Sequence, residues 1–421
     1  MEKKKKLMVV GIWDVKLMFE SVIIIFVIMG SLATTAVYYV TSDREQQGDT
    51  GSSSRRNNDD NVGFDYGSLD GCDLFSGKWV HDNESYPLYK EHECPYIPGE
   101  FSCGQYGRTD FKYQQWRWQP HGCNLPRFNA KDVLERLRGK RVIFVGDSVN
   151  RNQWLSMVCM LQSVIPLGLK KMHKAANVSL FTFKAFEYNV SIDFYWAPLL
   201  VESNADHPSK HKRNDRVINI QTIEKHAKNW INADILVFNS YLWWGTPTLK
   251  ILYGSIADSK RYNIVSNHVG YKMVLEKWSN WLTTYRKHKR TLSYFMSMTA
   301  THRRGVDWGM QGNENCLNET EPVMKDDFWE SGSDSKMMKI LESSLDELKA
   351  RGVNVQLVNI TQLTQYRKDA HPSIHRLFYS RLKAKQLSNP NGYADCTHWC
   401  LPGVPDTWNE LLLVSILQTL K

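Results

Sequence analysis

The chain has 421 residues with a formal net charge of +9, eight cysteines and fifteen tryptophans. The first twenty residues carry net +2 and residues 41–70 net −4, so residues 71–421 carry +11, a balance that suits an acidic polymer or a solvated basic surface. No nucleotide-phosphate motif such as a P-loop is present, and nucleic acid is excluded as a partner by the compartment that the chain's first segment indicates.

Ser21 to Val40 form twenty consecutive residues without a charge, enough for about 30 Å of helix and hence one membrane span. Lys3 to Lys6 and Lys16 precede this segment, whereas Asp43 and Glu45 follow it, so the positive-inside rule places the bulk of the chain in a lumen. The segment is long, begins late and lacks an evident small-residue cleavage site, which favours an uncleaved anchor over a signal peptide. The expected organisation is a cytosolic tail at 1–20, a signal anchor at 21–40, a flexible polar stem at 41–70 and a lumenal domain at 71–421. The 350 residues from Cys72 onward suffice for a large core with insertions or two closely integrated lobes.

Cys72, Cys94, Cys103, Cys123, Cys159, Cys316, Cys396 and Cys400 are an even set in a lumenal domain, which points to four disulfides among 105 possible pairings. A metal-ligand reading of Cys396 and Cys400 lacks a second ligand pair, and no metal is expected. Sequons at Asn83, Asn177, Asn189, Asn318 and Asn359 fit a lumenal glycoprotein. Asn189 and Asn359 lie in strand-like stretches where burial would block their use.

Buried strands are predicted at Val142–Val145, Ser191–Trp196, Ile235–Phe238, Leu292–Met296 and Val353–Val358. Helices are predicted at Ala130–Arg138, Val149–Met160, Tyr271–Lys287 and Met337–Arg351, the last stopped by Gly352. Thr407 to Glu410 has capping-box form before an apolar helix at Leu411–Leu420, and Pro402 and Pro405 limit the loop before it. The alternation implies an α/β fold with a parallel sheet covered by helices on both faces.

In such sheets ligands gather at the carboxyl ends of the strands. Gly146-Asp147-Ser148 follows the first strand there, and Asp395-Cys396-Thr397-His398 lies before the last helix. A serine hydroxyl needs a base to remove its proton, and a histidine oriented by a carboxylate supplies one. Ser148 at a helix N-terminus also sits beside free N–H donors. Either half alone has a bland reading: Gly-Asp-Ser is also an ordinary turn or cap, and Asp-x-x-His occurs by chance. Asn239, after the third strand, is a candidate oxyanion donor through its amide, or simply a turn cap. His302 with Asp307, and Asp369 with His371, are rival acid–histidine pairs, read as substrate-binding or supporting groups. Aromatic faces stack on sugars, and among Trp116, Trp118, Trp243, Trp244 and Trp308 the favoured substrate contact is Trp244, although most tryptophans serve packing.

The strand–Gly-Asp-Ser–helix and the late Asp-x-x-His resemble the first and last blocks of the GDSL/SGNH esterase superfamily, with Asn239 matching its Asn block and no clear match to its Gly block. Cys72-Asp73-Leu74-Phe75-Ser76-Gly77-Lys78-Trp79-Val80, Tyr113 to Pro120, Val145 to Ser148 and Ala394 to Gly403 resemble, more closely, the plant trichome birefringence-like polysaccharide O-acetyltransferases. That resemblance covers nearly everything from Cys72 to the C-terminus. It implies an SGNH-like α/β domain in the Golgi lumen with an elaborated disulfide-stabilised lobe, a Ser148–His398–Asp395 triad, and the pairings Cys72–Cys123, Cys94–Cys159, Cys103–Cys400 and Cys316–Cys396. Tyr195 to Asp206 resembles the xylan-acting members, so xylan is the expected acceptor. The expected activity is acetyl transfer through a Ser148 acyl-enzyme, with no bound cofactor, an acetyl donor for which acetyl-CoA is a candidate, and the Golgi membrane as the chain's anchor. A carbohydrate acetylesterase and a noncatalytic wall-polysaccharide-binding protein are the alternatives.

Overall fold

Alternate residues of the central strands divide between two cores. Val142, Phe144, Ile235 and Val237 face one, while Ile143, Val145, Leu236 and Phe238 face the other, as the two-residue period of a strand buried on both faces requires. The computed structural model describes residues 69–175, 179–208, 215–253, 261–286 and 290–420. The expected tail, anchor, nearly all of the stem and Asn177 lie outside the described residues. Among those described, no helix is long and apolar enough to cross a membrane.

In chain order the strands are β1 (Gly77–His81), β2 (Trp116–Pro120), β3 (Arg141–Gly146), β4 (Lys170–Lys174), β5 (Leu180–Ala185), β6 (Val190–Trp196), β7 (Glu202–Ser203), β8 (Val217–Asn219), β9 (Ile235–Phe238), β10 (Thr248–Leu252), β11 (Tyr262–Ser266), β12 (Leu292–Met296) and β13 (Gln356–Val358). The longer helices are α1 (Ala130–Arg136), α2 (Ser148–Gln162), α3 (Asn267–Arg286), α4 (Ser335–Ala350) and α5 (Val404–Thr419). Seven strands form the central sheet in the order β13-β12-β9-β3-β6-β5-β4. The first five run parallel, but β5 and β4 are antiparallel additions at one edge. The sheet is therefore mixed, not purely parallel. The turn that joins β5 to β6 holds Asn189 at φ +52, so this residue is exposed at a turn instead of buried in a strand.

Helices α2 and α5 pack on one face and α3 and α4 on the other, as the alternation of elements implies. Helix α2 is buried on nearly every side, because it lies between the sheet and α5, which is itself buried for almost its whole length. Its polar side chains find partners there: Ser156 Oγ donates to Asp406 at 2.6 Å, and Asn409 Nδ2 donates to the Gln153 carbonyl at 2.9 Å. Helix α5 begins at Val404, well before the predicted Leu411. Pro405 occupies its first turn, where a missing N–H costs nothing, and the Asp406 carboxylate accepts from Gly403 N at 2.8 Å. Thr407 and Glu410 thus lie inside the helix and form no capping box. Strand β13 starts at Gln356 instead of Val353, while Gly352 ends α4 with φ +76 as expected of a stop glycine.

Around this layer sit an antiparallel ribbon, β1 with β2, and a four-stranded sheet ordered β11-β10-β8-β7. All eight cysteines are paired, as Cys72–Cys123, Cys94–Cys159, Cys103–Cys400 and Cys316–Cys396. Cys396 and Cys400 consequently present no thiolate to a metal.

Candidate active site

Strand β3 ends at Gly146, where the main chain passes closely beside the end of β9. A Cβ at Gly146 would lie 2.6 Å from the Asn239 carbonyl oxygen and 2.8 Å from Asn150 Nδ2, so only glycine permits this approach. Asp147 then caps α2, its Oδ1 accepting from Val149 N at 2.9 Å. Ser148 is the first residue of the helix, where N–H groups lack intrahelical acceptors and the helix dipole is positive.

The chain returns to this point 250 residues later. His398 Nε2 stands 2.7 Å from Ser148 Oγ, and His398 Nδ1 stands 2.9 Å from Asp395 Oδ2. Asp395 Oδ1 also accepts from the Thr397 and His398 amides, at 3.0 and 3.1 Å. These bonds fix the carboxylate and hence the face of the imidazole. Burial pushes the Asp395 carboxyl up, but the His398 charge and hydrogen bonds outweigh it and hold the group well below the usual carboxylate range. Burial likewise pushes His398 down, while Asp395, with Glu100 and Asp147 beyond it, leaves the imidazole above its ordinary value. With 24% of its side chain exposed, His398 remains open to a reactant. A carboxylate-held imidazole on a serine hydroxyl can take the serine proton, stabilise the imidazolium and return the proton to a leaving group.

Asn239 follows β9 and its amide oxygen is buried without a hydrogen-bond partner among the described residues. Asp147 resembles it: one carboxylate oxygen caps the helix, the other is buried and unpartnered, and burial raises the group to about 6. Glu100 pairs with Arg151 from the first turn of α2 and accepts from the exposed Tyr379 hydroxyl, while Arg376 lies 4.0 Å from Asp395. Glu100, Arg151 and Arg376 stand around the triad without any motif to mark them in the sequence. Asp147 alone could have been found, as an Asp at the N-cap of a predicted helix.

Three other predicted residues do not reach the triad through their side chains. Trp244 is 0% exposed, packs edge-on against Tyr271 with ring centroids 5.1 Å apart, and donates its indole N–H to Ser240 Oγ at 2.9 Å. It is a core residue, since the short turn after β9 directs it inward, and no sugar can stack on it; its neighbour Trp243 is only partly buried. His302 is also 0% exposed and bonds His371, not Asp307, which removes it from any substrate surface. Asp307 instead accepts from Ser331, its Oδ1 lying 2.8 Å from the hydroxyl. Of the other tryptophans, Trp118 is buried and donates to the Leu74 carbonyl at 3.0 Å, and Trp308 bonds Glu319 at 2.8 Å.

Residues 125–415 match the GDSL/SGNH-like acyl-esterase family found in Pmr5 and Cas1p, and residues 70–124 match the PMR5 N-terminal domain. Over 349 residues the chain is 53% identical to protein trichome birefringence-like 34 of Arabidopsis thaliana, covering 82% of this chain and 85% of the relative. It is 49% identical over 360 residues to xylan O-acetyltransferase 12 of Oryza sativa subsp. japonica, covering 84% and 71%. To xylan O-acetyltransferase 14 of the same organism it is 45% identical over 370 residues, covering 82% and 77%. Matched along most of its length by both measures, the chain belongs to the GDSL/SGNH-like acyl-esterase family found in Pmr5 and Cas1p, and to its trichome birefringence-like group.

Proposed function

We propose that this protein transfers acetyl groups to the hydroxyls of xylosyl residues in xylan through an acetyl-Ser148 intermediate. The observation that carries the reading is the unbroken Ser148–His398–Asp395 hydrogen-bonded chain, in a protein whose relatives at 45–49% identity are named xylan O-acetyltransferases. His398 Nε2 takes the Ser148 proton as Oγ attacks the donor's acetyl carbonyl, and passes it to the departing group. A xylosyl hydroxyl then gives its proton to His398 as its oxygen attacks the acetyl carbon, and Ser148 recovers the proton as the ester breaks. The Ser148 amide at the start of α2 and the Asn239 side-chain amide stabilise the oxyanion. Acetyl-CoA is the donor proposed, and no bound cofactor is required.

The surroundings follow from the same reading. Residues 21–40 anchor the chain in the Golgi membrane, and residues 71–421 work in the lumen, where the disulfides form. Asn83, Asn189 and Asn318, all exposed, carry glycans in preference to the half-buried Asn359.

The test is to incubate the protein with labelled acetyl-CoA and xylo-oligosaccharides, and to read product positions by NMR. Donor alone should add one acetyl mass to the peptide holding Ser148, and that signal should vanish in Ser148→Ala. Release of free acetate with no acetylated sugar would instead identify an esterase, and undiminished transfer by folded Ser148→Ala would reject the acyl-enzyme.

A further inference from the structure

Behind the catalytic loop lie two buried histidines that this scheme leaves unused. His302 Nδ1 is 2.7 Å from His371 Nε2, His302 Nε2 is 2.7 Å from the Gln365 carbonyl oxygen, and His371 Nδ1 is 2.7 Å from the His398 carbonyl oxygen. A carbonyl oxygen only accepts, so both outer nitrogens must carry protons to bond. The central contact needs a proton as well. Two neutral imidazoles hold two protons between them, leaving one of the three contacts lone pair against lone pair. One added proton satisfies all three.

The surroundings both favour and oppose that proton. Asp369 and Asp395 favour it, and Trp399 lies over the His371 ring with centroids 4.2 Å apart. Arg108, Arg367 and Lys368 oppose it. Glu330, which accepts from the His302 amide at 3.2 Å, is itself pushed toward the neutral form by burial. Burial also opposes the charge, drawing His302 down to about 4 and His371 well below its ordinary value. What favours the proton against these is the three short contacts, which can all be satisfied only when it is present, so closure and protonation are one event.

The pair is placed to act on His398. His371 holds the His398 carbonyl, Ser373 and Asp395 exchange main-chain hydrogen bonds at 3.0 Å, and Cys400 N donates to the Ala370 carbonyl at 3.0 Å. His302 has φ +28, a conformation that a residue other than glycine keeps only where its surroundings enforce it. We propose that His302 and His371 share one proton and act as positioning residues that lock the main chain of His398, and so the imidazole facing Ser148. This rests on the proposed role of His398 as the base. As pH rises and the shared proton leaves, one contact turns repulsive, the loop loosens and kcat falls; KM is unaffected because neither ring reaches the surface.

The experiment combines NMR of full-length protein labelled with ¹⁵N-histidine and kcat measured from about pH 5 to 8. Three ring N–H protons should be found on His302 and His371 in the active range, the third titrating together with the alkaline limb of kcat. His302→Gln keeps a donor and an acceptor but cannot titrate. It should remove that limb and lower kcat roughly tenfold, with KM within about twofold. Two protons across the whole active range, or an unchanged limb in His302→Gln, overturns the proposal. If the variant does not fold, the wild-type comparison decides, since a third proton titrating apart from the limb is equally fatal. Transfer surviving in Ser148→Ala beside an intact three-proton pair would reject the acyl-enzyme and leave the pair standing.

Discussion

The two halves of the candidate site are built in opposite ways. Ser148 stands on the junction of β3 and α2, where a hydrogen-bonded strand and a fifteen-residue helix hold it through local main-chain ladders. Asp395 and His398 stand in a segment without helix or strand, whose one regular feature is the isolated bridge from Ser373 to Asp395. That segment is secured from far away in the chain: by Cys316–Cys396, by Cys103–Cys400, by Asn152 Oδ1 accepting from Trp399 N at 2.8 Å, and by the buried 367–373 segment, whose carbonyls at Asp369 and His371 accept from Arg108 at 2.6 and 3.0 Å. A nucleophile can be placed by secondary structure, whereas a base on a loop needs cross-links to keep its distance.

The largest effect should come from disarming the base that the loop half presents to the serine. Asp395→Asn keeps the shape but loses the imidazolium's counter-charge, and transfer should fall by about 10³–10⁴ in protein that still folds, at a lowered melting temperature because the stabilised carboxylate is gone. A loss below tenfold in the folded variant would show that the loop half does not serve the serine. Next in size is a contrast between two disulfides. Replacing Cys316 and Cys396 by alanine, or Cys94 and Cys159, should each lower stability by about 2–5 kcal/mol in chemical denaturation. Only the first pair should also reduce kcat per folded molecule, because it frees the catalytic loop, whereas the second ties α2 to the residue 94 segment.

A smaller effect concerns how α5 is held against its neighbours, through Asp406 to Ser156 of α2 and through Glu410 to Tyr86. Burial raises Glu410 to about 8 and Asp406 to about 6. Between the ordinary carboxylate range and these values the folded protein binds more protons than the unfolded chain, so their contribution to stability is present at acid pH and is lost as pH rises toward 8. Glu410→Gln should flatten that decline in melting temperature, and an unaltered slope would exclude Glu410 as its source. The smallest effect is expected at Trp244→Phe, which loses the bond to Ser240 and costs about 1 kcal/mol. Its KM for xylo-oligosaccharides should equal that of the wild type; a raised KM would mean that this side chain meets the sugar after all.

Much of the fold was legible because burial writes itself into local pattern. The continuous apolar runs at 142–145 and 235–238, and the run at 292–296 interrupted only by Ser293, are strands at those positions, and the four disulfide pairs are those that the family resemblance implied. The antiparallel edge β4–β5 was missed because Lys170 to Lys174 carries three lysines, the charged composition of an edge strand instead of a core one. The start of α5 was misplaced because Thr407 and Glu410 satisfy a capping pattern that Pro405 and Asp406 pre-empt one turn earlier.

By itself the sequence determined which groups could do acyl chemistry, since Gly146-Asp147-Ser148 after a buried run and Asp395 three residues before His398 are local arrangements that survive being read as text. It also determined the family, because several motifs occur in one order. Only the tertiary structure decided which candidates meet. A partly exposed tryptophan and a tryptophan in the core are written with the same letter, and Trp243 and Trp244 are separated solely by the direction in which a short turn points. His302 and His371 lie 69 positions apart, with nothing in either neighbourhood to announce the other. Their contact, like the approach of His398 to Ser148, arises from non-local packing, where distance along the chain carries no information about distance in space.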